Sequence, residues 1–96
     1  MLLQHMCNGA LYGLQKSRPI ILKKLSEILP SIYAKGNKKT LINKNVYPLI
    51  NKIAEENKPE NLEGLTILLE TCNENTNGDF LANLKPKAIQ VFNSLN

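Results

Sequence analysis

Ninety-six residues, 43% of them hydrophobic and 21% charged, hold one small domain and are too apolar for a disordered segment. Aromatic residues make up only 5% and Trp is absent, so the core has to come from Leu and Ile. The net charge of +4 conceals a split: nine basic residues and one acid up to Lys52, then three basic residues and seven acids. That split points to a basic surface for an acidic partner.

No apolar run approaches the roughly 18 residues of a membrane span, and the start, MLLQHMCNGALYGL, lacks the early positive charge of a signal peptide. Cys7 and Cys72 match no metal-ligand spacing and fall on apolar helical faces. Two reduced, buried thiols in a cytoplasmic protein are the expectation. Only one of the twelve basic residues is Arg, whose planar fork suits phosphate better than Lys does. Nucleic acid therefore ranks below protein as the partner, and the abundance of Lys, Asn and Ile together is also what an AT-rich genome produces.

A first helix is expected over residues 2–15, with Leu3, Met6, Ala10 and Leu14 on one face and Cys7 and Leu11 beside it. Gly9 and Gly13, four apart, weaken it and offer a close approach to another helix. His5 stands alone and reads as a solvent-facing or capping residue. Ser17-Arg18-Pro19 breaks the chain and restarts it. The second helix, residues 19–34, carries the stripe Ile21, Leu25, Ile28, Leu29 and Ile32, with Lys23, Lys24 and Glu27 on its wet side. Pro30 should kink it or end it early.

Lys35-Gly36-Asn37-Lys38-Lys39 is a turn, and Thr40 can cap a third helix to about residue 56. Its apolar positions are Leu41, Ile42, Val46, Leu49, Ile50 and Ile53, with Pro48 kinking it or lying in the first turn of a later start. Asn57 is a candidate cap for the next helix, NLEGLTILLETC, residues 61–72. There Leu62, Leu65, Leu68, Leu69 and Cys72 share a face that Thr66 and Ile67 widen. A helix apolar on most sides is covered on most sides, so this one is expected at the centre. A last helix, residues 79–95, brings Phe80, Leu81, Leu84, Ala88, Val91, Phe92 and Leu95 inward, with Pro86 inside it.

The polar stretch between the last two helices places Asn73, Asn75 and Asn77 at positions 1, 3 and 5 of a calcium-loop spacing, with Gly78 at position 6. Position 1 lacks its Asp, and position 12, which needs a bidentate Glu, is Leu84. The stretch reads as a turn between helices, and no cofactor or metal is expected. No nucleophile, base and orienting group fall into a recognisable arrangement, and there is no Gly-rich phosphate loop. Tyr12, Tyr33 and Tyr47 read as half-buried packing residues, and the chain as a non-enzyme.

Helix starts fall roughly 20 residues apart. Pro48 and Pro86 are 38 apart, and that offset sets Ile42 on Phe80, Val46 on Leu84 and Ile53 on Val91. In period, proline placement and apolar pattern, residues 19–96 resemble HEAT and armadillo repeats. The Asp and Arg usual in those repeats are missing between Asn57 and Leu69. The resemblance implies an all-α fold of about five helices, antiparallel pairs stacked as a short α-solenoid, and a scaffold role. At this length such a solenoid would be a fragment of a longer repeat protein. A compact four- or five-helix bundle is the alternative.

The functional expectation is a protein-interaction module whose basic surface, Lys23, Lys24, Lys35, Lys38, Lys39 and Lys44, meets an acidic protein or peptide. A nucleic-acid-binding helical domain using the same lysines is the second reading. A third is a small bundle that neutralises one target, similar to bacteriocin immunity proteins in size, charge and helical content.

Overall fold

Three- and four-residue apolar spacing becomes helix along nearly the whole chain. The computed structural model describes residues 2–95, which form five helices joined by short 3-10 turns, with no strand among the described residues. They are α1 (Leu2–Tyr12), α2 (Arg18–Ala34), α3 (residues 39–56), α4 (Leu62–Thr76) and α5 (Pro86–Asn93).

α1 is shorter than its spacing suggests. It stops at Tyr12, and the Gly13 N–H closes the last turn on the Gly9 carbonyl. Leu14, expected on the inner face, is therefore 68% exposed. α2 runs unbroken through Pro30, whose ring is exposed. Its deepest residues are Leu22, Leu25, Ser26 and Leu29, while Ile21, Ile28 and Ile32 are half-buried. The apolar face of α2 is wide, and the stripe is rotated by about one residue from the expected one because α4 lies over Leu22.

α3 changes gauge along its length. An α-helical turn, Lys39–Leu41, opens into a π segment, Ile42–Val46, and returns to α-helix over Tyr47–Glu56. The Tyr47 N–H reaches five residues back to Ile42 O. Pro48 follows, with no N–H and a ring that would strike the carbonyl four residues earlier in a regular helix; the wider turn gives it room. The Asn45 side chain donates to Leu41 O at 3.0 Å. α3 ends on Asn57, which takes the left-handed conformation at φ 53° and so closes α3 instead of capping α4.

α4 ends the same way on Asn77, at φ 54°, followed by Gly78 at φ 91°. Residues expected as one helix over 79–95 then divide. Asp79–Asn83 is a 3-10 turn, Leu84 and Lys85 are extended, and Pro86 opens α5. Proline is pre-organised for a first helical turn, so Pro86 starts a helix where an interior position was expected.

The packing order is set by residue pairs. α2 and α4 lie side by side and parallel: an added Cβ at Gly64 would sit 3.0 Å from Leu22 Cβ and Cδ1, Lys23 pairs with Glu63, and Tyr33 meets Cys72 at the far end. α3 and α5 are also parallel. The Asn51 side chain bonds Asn83 O and the Lys85 N–H at one end, and Val91 lies beside Ile53 and Ala54 at the other. Sequential helices run antiparallel, so the chain from α2 to α5 is two helix pairs laid one on the other.

The two pairs are not copies. One carries the π segment and the other a 3-10 turn with an extended break, and the structure displays no HEAT or armadillo repeat. It is a small all-α bundle, with Leu25, Leu29, Leu49, Ile50, Leu68 and Leu69 at its centre. Leu62, expected on the inner face of α4, is 52% exposed at its first turn.

Arg18 ties the corner where three helices meet. Only 2% exposed, it donates from Nε to Ala10 O at 2.7 Å, from Nη2 to Leu11 O at 3.3 Å, and from Nη1 to Glu56 Oε1. The guanidinium satisfies carbonyls that the end of α1 leaves open, and the Glu56 carboxylate on the last turn of α3 balances its charge.

Candidate functional site

Two concavities flank the turn between α2 and α3. They differ in chemistry because successive residues of that turn and of the start of α3 line opposite sides. Leu41 and Lys38 face one, Ile42 and Lys39 the other.

The first is an apolar groove of about 470 Å³ between α1, α2 and the turn. Leu2, Leu3, Ile28, Ile32 and Leu41 line it, and Lys35, Lys38, Glu27 and Ser31 border it. Glu27 pairs with Lys24 at 3.7 Å. Leu2 is 68% exposed, so the groove opens onto solvent at the start of α1.

The second is a polar cleft of about 450 Å³ between the π segment of α3, the end of α4 and the turn that follows. Tyr33, Tyr47, Ile42 and Phe80 form its floor, and Lys39, Asn43, Glu74 and Asp79 are on its walls. The Tyr33 and Tyr47 hydroxyls are 2.8 Å apart. Burial pushes the Tyr33 hydroxyl far above the ordinary tyrosine range, and the Cys72 thiol, the Tyr47 hydroxyl and their charges add to the shift. Tyr47 is raised by burial, against the lowering effect of its bond to Tyr33.

Burial likewise lifts the Cys72 thiol to about 11, although the Tyr33 hydrogen bond pulls the other way. Cys7 reaches about 11 by burial alone. At neutral pH all four groups hold their protons. The Tyr33 and Tyr47 hydroxyls bond each other at the inner end of the cleft. Both cysteines are free and buried.

The stretch with calcium-loop spacing is mostly helix. Residues 73–76 belong to the last turn of α4, where Asn75 and Thr76 bond back to Thr71 O and Cys72 O. Thr76 Oγ1 also accepts the Phe80 N–H at 3.2 Å. Residues 73–76 are therefore helix, not the loop that wraps a cation in a calcium site. Among the described residues no group of three or more His, Cys, Asp or Glu side chains is placed to hold a metal.

The six lysines of the expected basic surface have different surroundings. Lys35 and Lys38 share the groove, and Lys39 is in the cleft. Lys23 pairs with Glu63 at 3.1 Å across the outside of the α2–α4 contact, and Lys24 pairs with Glu27 on its own helix. Lys44 is exposed on the π segment, apart from both concavities. Sequence reasoning missed Arg18 as a buried clamp and Tyr33–Tyr47 as a bonded pair. The lone Arg among eleven lysines was the available signal for the first; nothing local marks the second.

No helix of the described residues is long and apolar enough to cross a membrane. Comparison with protein-family models, with curated proteins and with solved structures finds no match to this chain.

Proposed function

We propose that the chain is a non-enzymatic protein-interaction module, acting in the reducing cytoplasm, whose contact surface is the groove between α1, α2 and the α2–α3 junction. Its occupant is an amphipathic segment of another protein, with apolar residues on one side and Asp or Glu along the edge. The observation that carries this reading is the joint placement of an apolar floor, Leu2, Ile28, Ile32 and Leu41, and two lysines, Lys35 and Lys38, with no carboxylate partner among the described residues. Apolar floor supplies affinity, and the charged border selects the sign of the partner and its register.

The dispersal of the remaining lysines favours a protein over a nucleic acid. A duplex is gripped by many cations along one track, and here Lys23 and Lys24 already face Glu63 and Glu27. The raised tyrosine and cysteine values support a binding role over a catalytic one.

The test is a titration of isotope-labelled protein with a helical peptide bearing Leu on one face and Glu on the flank. Resonances of Ile28, Ile32 and Leu41 should shift, and a Lys-flanked peptide should bind at least tenfold more weakly. Reversing Lys35 and Lys38 to Glu should invert that preference, whereas Lys44→Glu should leave it unchanged. Indifference to peptide charge, or salt-sensitive binding of a polyanion with no peptide binding, would remove the assignment.

A further inference from the structure

The polar cleft has walls of opposite charge. Lys39 and Asn43 line it from the start of α3 and its π segment, Glu74 and Asp79 from the end of α4 and the turn beyond. Glu74 and Asp79 share a wall because the chain reverses between them. Five residues along an unbroken helix would set them about 140° apart. Asn77 at φ 54° and Gly78 at φ 91° turn the chain instead, so that Asp79 lines the same cleft as Glu74. No ion pair joins Lys39 to either carboxylate among the described residues. The walls are anchored from below. The Tyr33–Tyr47 hydroxyl bond ties α2 to α3 at 2.8 Å, and buried Phe80 meets Phe92 edge-on while its N–H bonds Thr76 Oγ1 at 3.2 Å. The space between the walls, about 450 Å³, is in the range of small-molecule sites.

We infer that this cleft binds a small zwitterion, an α-amino acid with a cationic side chain. The ligand carboxylate goes to the wall of α3, where the Lys39 ammonium and the Asn43 amide both offer N–H groups. Its two cationic groups go to Glu74 and Asp79 on the facing wall, and its methylenes lie over the half-buried Tyr33 ring on the floor. Charge selects this class over its neighbours. Two carboxylates against one ammonium leave the cleft with one negative charge in excess, which a ligand of net charge +1 balances. An acidic ligand is repelled by Glu74 and Asp79, and a diamine without a carboxylate leaves Lys39 facing a cation. The site is independent of the apolar groove, which has its own lysines, Lys35 and Lys38.

Titration of the isotope-labelled intact chain with L-lysine tests this directly. The resonances of Asn43, Glu74 and Asp79 should shift, and those of Ile28 and Ile32 in the groove should stay in place. Cadaverine, the same carbon chain without the carboxylate, and L-glutamate should both bind more weakly than L-lysine. Lys39→Gln should weaken L-lysine by about two- to fivefold, the worth of one partly exposed charge pair, and should leave cadaverine no weaker. Glu74→Gln should weaken both. Lys39 and Glu74 are exposed, so neither change disturbs the core. Absence of shifts at Asn43, Glu74 and Asp79 in millimolar L-lysine overturns the proposal, whatever the variants do. So does cadaverine binding as tightly as L-lysine, or a folded Lys39→Gln chain with undiminished affinity for L-lysine.

Discussion

The two ends of the α2–α4 contact are built on different principles. At the near end, Leu22 lies against Gly64 so closely that an added methyl group would crowd it at 3.0 Å, and Leu25, Leu65 and Leu68 continue a dry seam. At the far end, the same two helices meet through Tyr33 and Cys72, with Tyr47 of α3 joining by its hydroxyl. One end resists any change of volume; the other resists loss of a polar partner or a proton. The dry end fixes the distance between the helices, and the polar end opens into the cleft, where side chains must tolerate water.

Truncation in the dry seam should give the largest effect. Leu68→Ala removes a fully buried side chain and should cost about 2–5 kcal/mol in chemical denaturation. A loss under about 1 kcal/mol would show that the seam collapses easily and is not the rigid member of the pair. Raising the pH probes the polar end. The Cys72 thiol is at about 11 in the fold against 9.0 ordinarily, so the folded chain keeps a proton that the unfolded chain releases. Its contribution is complete below pH 9 and is lost as pH rises toward 11, by up to about 1.4 kcal/mol for each pH step. Cys7 adds a similar trend away from the seam. Cys72→Ala should flatten the alkaline limb of a stability–pH curve, and an unchanged limb would assign it elsewhere.

Gly64→Ala should be destabilising by about 1–3 kcal/mol, although alanine is the better helix former. A stabilised variant would mean that the helices can move apart and that the near end is not volume-limited. The smallest effect should come from Tyr33→Phe, which leaves the Tyr47 hydroxyl and the Cys72 thiol without their shared partner. A loss of about 0.5–1.5 kcal/mol is expected by thermal denaturation. A larger loss would mark the two hydroxyls and the thiol as a cooperative network and narrow the contrast between the ends.

The inner faces of α3 and α4 were legible in the residues themselves, whereas the contact of Leu22 with Gly64 was not. The spacing of Leu65, Leu68, Leu69 and Cys72 identified the inner face of α4, and Val46, Leu49, Ile50 and Ile53 that of α3. The far end was not. Tyr33 and Tyr47 are 14 residues apart and carry no pattern that pairs them. The candidate surface fared similarly: Lys38 and Lys39 are neighbours in sequence, yet one borders the groove and the other the cleft. A charge count sums residues that the fold separates.

The sequence by itself determined that the chain is helical, roughly where four of the five helices start and which broad face is apolar. Those properties depend on contacts within about four residues, through caps, prolines and helical periodicity. Only the tertiary structure decided that α2 lies parallel to α4, that Arg18 is buried against Ala10, Leu11 and Glu56, that Pro86 begins a helix, and that Asn61 is buried. Each of these depends on partners from distant parts of the chain. Burial of a charge or an amide is set by what covers it, and neighbours in sequence do not supply that cover.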